Sequence, residues 1–181
     1  MNKKAVLVVD LQNEYLIEGK LPLVNINEVL NNANKIIENA REKNIPVIHI
    51  RHEALEKDSP FFAANTEGVK INEKVTPLEN EIVITKHYPN SFLNTELLET
   101  LNQNDIKDLT IIGAMSHICI DATTRAASDL GFKCTVIEDA CGRMGVQFNG
   151  LNVSAQEVHS TIMAALGFAY ADIKTTNDLL Y

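Results

Sequence analysis

Six short apolar runs rich in Val, Ile and Leu constrain this chain more than any other feature: AVLVVD, PVIHIR, EIVITK, DLTIIG, KCTVIED and the weaker ADIKTT. They are continuous rather than alternating, which suits strands of a parallel sheet covered on both faces. Parallel neighbours need crossovers, and the intervening segments supply them. INEVLNNANKIIENAREKN places Val29, Leu30, Ala33, Ile36, Ile37 and Ala40 at helical spacing, with Pro46 marking the exit. TELLETLNQN reads as a second helix and DATTRAASDLG as a third that stops at Gly131. SAQEVHSTIMAALG reads as a fourth, with Ser154 as N-cap, Glu157 completing a capping box and Gly167 beyond its end. The alternation predicts an α/β fold, a three-layer α/β/α sandwich around a doubly wound, mostly parallel sheet. With 181 residues, 45% of them hydrophobic, and no repeat or linker, one domain spanning 1–181 is expected.

Two segments break the alternation, residues 53–80 and 140–153. Loops this long inside one domain usually carry function. In an open parallel sheet the ligand sits at the C-terminal ends of the strands, where strand order reverses. The formal charge of −8 disfavours nucleic acid and anionic membrane surfaces and leaves small molecules as the expected partners. No apolar run approaches the roughly 18 residues of a spanning helix. The opening MNKKAVLVVD has no signal-peptide h-region, so a cytoplasmic location is expected. Cys119, Cys134 and Cys141 are odd in number, at spacings that fit neither a zinc site nor a disulfide framework, and should be reduced.

Three polar residues stand at strand ends: Asp10 in VLVVDLQNEY, Lys86 in IVITKHYPNSF and Cys119 in TIIGAMSHICIDAT. Singly, each has an ordinary explanation as a turn Asp, a solvated Lys or a core Cys. Together on one sheet edge they form a nucleophile set. A free thiol has a pKa of about 8.5, and a helix start plus a neighbouring cation lowers it, so Cys119 is expected to be depressed and the most readily alkylated thiol. Asp10 would accept the thiol proton and pass it to a leaving amine. Cys134, inside a strand, reads as inert core, and Cys141, on the loop after the fifth strand, lacks the helix start.

VVDLQNEY, ITKHYPNSF and GAMSHICIDATTRAASDLGF, followed by EDACG and AQEVHSTIMAAL, resemble the isochorismatase-like cysteine hydrolases over nearly the whole chain. That family includes nicotinamidases and N-carbamoylsarcosine amidases. The resemblance implies a sheet of order 3-2-1-4-5-6 and a catalytic triad of Asp10, Lys86 and Cys119. It also implies a cis peptide between Ala114 and Met115 that directs the Met115 and Cys119 amides at one oxyanion. The activity implied is hydrolysis of an amide or carbamoyl C–N bond through a thioester, with no cofactor and with a homo-oligomer, dimer or tetramer, as the working form. Family nicotinamidases bind a metal through an Asp and two His after the second strand. IHIRHEALEKDSPFF offers His49, His52, Glu53 and Asp58 without that triplet, so no metal is expected and nicotinamidase is disfavoured. Isochorismatase-type vinyl ether hydrolysis needs no thiol, so Cys119 argues for an amidase. A lone strand histidine such as His49 reads as a satisfied core residue.

By position on the same edge, Tyr15, His52, Phe61, Phe62, Tyr88, Asn90 and His117 are expected to wall the substrate pocket. Two readings from other classes compete. A phospho-receiver domain would need an acidic pair at the first strand end and an Asp at the third, where this chain has Asp10 alone and Lys86. A catalytically idle binding or assembly module would not need the intact trio.

Overall fold

Alternation along the central strand β1 (Lys3–Val9) sets the layering, because successive side chains point to opposite faces. Ala5, Leu7 and Val9 join one apolar cluster with Ile48, Ile84 and Ile111. Val6 and Val8 join a second cluster with Leu30, Ala33, Ile36 and Ile37 of α1 (Ile26–Glu42). The computed structural model describes residues 3–56 and 58–180. After α1 come β2 (Val47–His52), β3 (Ile82–Lys86), α2 (Leu97–Gln103), β4 (Ile106–Gly113), α3 (Asp121–Asp129) and β5 (Lys133–Cys141). Then follow β6 (Val146–Phe148), β7 (Leu151–Val153), α4 (Ala155–Ala169), β8 (Ala171–Lys174) and α5 (Thr176–Leu180). Leu97 and Leu101 of α2, Ala127 of α3 and Met163 and Leu166 of α4 cover the first face, and α1 with Leu179 of α5 covers the second.

The sheet has six strands in the order β3-β2-β1-β4-β5-β8, every neighbouring pair parallel. This is the expected order, with β8 as its sixth strand. Two short strands intervene because part of the 140–153 loop is an antiparallel hairpin, β6 with β7. Three-residue strands whose Phe148 and Leu151 face solvent leave no period to read. Two further expectations are corrected: Cys141 ends β5 rather than lying on the loop, and α4 runs through Gly167 to Ala169. The capping box of Ser154 and Glu157 forms as expected, and Gly131, at φ +91°, follows the end of α3. Among the described residues no helix is long and apolar enough to cross a membrane.

His49, on β2, is a buried core residue: its Nε2 lies 3.1 Å from Glu81 Oε2, while its Nδ1 has no hydrogen-bond partner, so the ring is only half satisfied. Arg41 of α1 meets the same carboxylate as a fork, both contacts at 2.8 Å, so α1, β2 and the turn before β3 are tied together. Burial opposes ionisation of Glu81, yet the Arg41 guanidinium and the Leu78 N–H hold its pKa down to about 2. A carboxylate depressed in the folded state contributes stability above its unfolded pKa and loses it as pH falls through the folded value. Between about pH 4.5 and about pH 2, the urea midpoint of the native chain should therefore fall more steeply than that of Glu81→Gln, which starts lower at neutral pH. Parallel curves across that window would refute this.

At the switch point β1 and β4 lie side by side, and Gly113 pairs with Val9. Gly113 has φ +135°, and a Cβ there would lie 1.9 Å from the Val9 carbonyl oxygen. Only glycine meets both conditions. Gly113→Ala should cost about 2–4 kcal/mol of unfolding free energy, read from urea denaturation, because the adjoining backbone must move.

Candidate active site

Four neighbouring strands, in the order β3, β2, β1 and β4, end at one place. Lys86 and His52 are the last residues of β3 and β2 and are register partners. Asp10 follows β1 at φ +53°, in the left-handed region that a short polar side chain tolerates. From Gly113 the chain passes the Ala114–Met115 peptide, which is cis, and enters one π-helical turn, Ser116–Ile120, that continues into α3. Cys119 lies on that turn.

Asp10 and Lys86 are wholly buried and Cys119 is 5% exposed. Lys86 Nζ lies 2.7 Å from Asp10 Oδ2. It donates to the Tyr88 carbonyl at 3.0 Å and to Cys119 Sγ at 3.4 Å, and lies 3.0 Å from His52 Nδ1. The Asp10 approach has ion-pair distance without hydrogen-bond angles, so both carboxylate oxygens keep lone pairs free of full hydrogen bonds. Among the described residues the Met115 N–H, beside this turn, has no acceptor.

The electrostatics correct one expectation. Burial pushes the Cys119 thiol up to about 12, with the Asp10 charge adding to it and Lys86 only partly opposing. Proximity to a helix start and a cation does not depress it, because the site excludes water and the cation is shared with a carboxylate. Burial also raises the Asp10 pKa against the pull of Lys86. For Lys86, burial alone would favour the neutral amine, but Asp10 and Cys119 outweigh it and raise the pKa. One ammonium thus faces two acids whose proton affinities are both raised by burial. Burial, with Lys86 and His87 adding, lowers His52 to about 4, so its ring is neutral at physiological pH.

The expected pocket residues divide. Tyr15, Phe62 and His52 form one aromatic group, Phe62 meeting Tyr15 at 5.3 Å and His52 at 5.1 Å, both edge-on. Phe61 and Tyr88 are each 37% exposed. Asn90 instead accepts from the Phe92 N–H and shapes the turn after β3. His117 is half-buried on the π turn, and no hydrogen bond links it or Asn90 to Asp10, Lys86 or Cys119. Cavities of about 300 and 380 Å³ open elsewhere, around Lys4, Lys43 and Lys133 and around Arg41, Asn44 and Asn104. Neither borders Cys119, and neither gathers a nucleophile with a base.

Two residues of the site escaped the sequence reading. The Gln12 amide accepts from the His52 N–H at 2.8 Å and donates to the His52 carbonyl at 2.8 Å and the Val69 carbonyl at 2.7 Å. Glu14, buried, accepts from the Phe62 N–H at 3.2 Å and lies against Gly68, where a Cβ would meet its Oε2 at 1.6 Å. Polar residues just past a strand, in DLQNEY, were the available signal. Among the described residues no group of three or more His, Cys, Asp or Glu side chains is placed to hold a metal ion.

Residues 4–157 match the family model of the isochorismatase domain. The isochorismatase family protein YddQ of Bacillus subtilis is 46% identical over 97% of this chain and 98% of its own length. The crystal structure of an isochorismatase from Pseudomonas putida KT2440 superposes with a TM-score of 0.91 at 34% identity, covering 97% of this chain and 89% of that one. More distant is nicotinamidase 3 of Arabidopsis thaliana, 24% identical over 92% of this chain and 82% of its own length. A ureidoacrylate amidohydrolase of Rhizobium rhizogenes is 23% identical over 81% and 73% respectively. On the matched domain and these close relatives, this chain belongs to the isochorismatase family of hydrolases.

Proposed function

We propose that this hydrolase cleaves the C–N bond of a small-molecule amide or carbamoyl group, with Cys119 as nucleophile. The observation that carries this reading is the buried contact set of Lys86 Nζ, 2.7 Å from Asp10 and 3.4 Å from Cys119. Relatives whose names denote amide hydrolysis, the nicotinamidase and the ureidoacrylate amidohydrolase, support the bond type.

The mechanism follows from two acids of raised proton affinity beside one cation. Asp10, a carboxylate with raised proton affinity, takes the Cys119 proton as sulfur bonds to the carbonyl carbon. The C=O electron pair moves to oxygen, and the Met115 and Cys119 N–H groups hold the resulting oxyanion. Collapse expels the nitrogen, which takes the proton from Asp10 and leaves as an amine, or as ammonia from a primary amide. The acyl group stays on Cys119 as a thioester. Water then adds to that carbonyl, giving a proton to Asp10, and breaking the C–S bond releases the carboxylic acid and returns the proton to sulfur. Lys86 stays charged throughout and offsets the negative charge as it moves between sulfur, carboxylate and oxyanion. The proposed steps are written without a metal, since among the described residues no group of three or more His, Cys, Asp or Glu side chains forms a donor set.

A panel of small amides incubated with the protein and read by intact-mass spectrometry should yield an acyl adduct that maps to Cys119 and is absent from Cys119→Ala. An adduct on Cys134 or Cys141, or turnover surviving in Cys119→Ala, would overturn the assignment.

Lys86→Met should lower kcat/KM by at least about a hundredfold, since it leaves two acids without their cation. Lys86→Arg should recover little of this, because a planar fork does not fit a point-charge site. Exhaustive chelation should leave turnover unchanged; loss on chelation with recovery on adding zinc would contradict the metal-free reading.

A further inference from the structure

We propose that His52 is a positioning residue for this reaction, a neutral hydrogen-bond acceptor that aims the Lys86 ammonium without neutralising it. This rests on the reading that Lys86 serves Cys119. Across the sheet edge β3, β1 and β4 supply Lys86, Asp10 and Cys119, and the strand between Lys86 and Asp10 is β2, which ends in His52. Lys86 must therefore reach past the end of β2 to its carboxylate, and His52 Nδ1 meets it on the way at 3.0 Å. An ammonium has no acceptor capacity, so the contact is Nζ–H donating to Nδ1, and the His52 proton is on Nε2.

The three protons of Lys86 then have acceptors at His52, the Tyr88 carbonyl and Cys119 Sγ, and the Asp10 carboxylate stands beside them as an ion-pair partner at 2.7 Å. Of these four partners only Asp10 carries a full charge. A second carboxylate at the end of β2 would hold the ammonium equally well but would cancel the positive field that an emerging thiolate needs. A neutral acceptor fixes direction and leaves that field in place. The ring is itself held: its backbone N–H and carbonyl both bond to the Gln12 amide, and Phe62 abuts its edge. The charged and titratable groups facing it are Lys86, with Asp10 and Cys119 behind it, and His87.

The test uses the whole chain and needs no substrate. Alkylation of Cys119 by iodoacetamide is followed by peptide mass spectrometry from about pH 6 to about pH 10 in the native protein and four variants. Asn places its Oδ1 where histidine has Nδ1, and Asp puts a charge on the same atom. His52→Asn should alkylate within about threefold of the native rate, whereas His52→Leu and His52→Asp should be slower by about tenfold or more, with profiles displaced to higher pH. A purely structural role would not separate Asn from Asp in this direction. Equal rates for Asn and Asp, or a native rate in His52→Leu, overturn the proposal while leaving the amidase reading intact. If Lys86→Met also alkylates at the native rate, the assignment of Lys86 has failed, and this inference with it. ¹⁵N NMR of the native protein gives a check that does not depend on any variant folding. A His52 ring protonated on Nε2 with a bare Nδ1 at neutral pH supports the proposal, and a proton on Nδ1 overturns it.

Discussion

A buried ammonium is the constraint on which the site depends. Taking the Lys86 charge out of water costs several kcal/mol unless acceptors surround it, and they come from four segments of chain: Asp10, His52, Tyr88 and Cys119. Neighbouring strands lie about 4.8 Å apart, so Lys86 and Asp10 are separated by the width of two strand intervals. A long, unbranched side chain can span that gap over the end of β2, and a shorter one cannot. The strand order is thus written into the chemistry. If β2 were not between β3 and β1, neither the reach of Lys86 nor its contact with His52 would be needed.

Under the proposed mechanism, one cation between two acids also accounts for a thiol of raised pKa acting as a nucleophile. The resting group keeps its proton, so a buried Cys119 is a poor target for stray electrophiles. In the proposed mechanism it becomes nucleophilic when Asp10 takes the proton, which is most favourable as a carbonyl carbon arrives to accept the sulfur electrons. On that proposal reactivity follows the arrival of substrate. Lys86 and Asp10 are both fixed in place beforehand, so the proposed attack would require little reorganisation.

Much of this was legible from residues. The apolar runs located all six strands of the main sheet, and strand-end polar residues located Asp10, Lys86 and Cys119, because a polar side chain has few reasons to stand where a buried strand stops. His49 was read as a core residue, and it is one, against Glu81. What stayed hidden depended on direction or on burial. The thiol pKa follows from the exclusion of water and from the nearness of Asp10, neither of which a helix start reveals. The bond by which Asn90 accepts from the Phe92 N–H is likewise a matter of side-chain direction, which sequence position does not give. Gln12 stands just past a strand in DLQNEY, but its partners are backbone groups, so the position alone did not say what it holds.

The reach of Gln12 has a consequence for how such a site can diversify. A single amide nitrogen holds the carbonyls of His52 and Val69, so both ends of the excursion between them are stitched to one point beside β1. The excursion carries Phe61 and Phe62, of which Phe62 packs edge-on against the His52 ring. Its base is closed independently of its length, and the entropy of closing a longer or shorter loop changes only slowly with residue number. Residues between those two carbonyls can be inserted, deleted or exchanged while Lys86, His52 and Asp10 keep their places. The segment between them is in this sense a replaceable part, mounted on a frame whose geometry does not depend on what it carries.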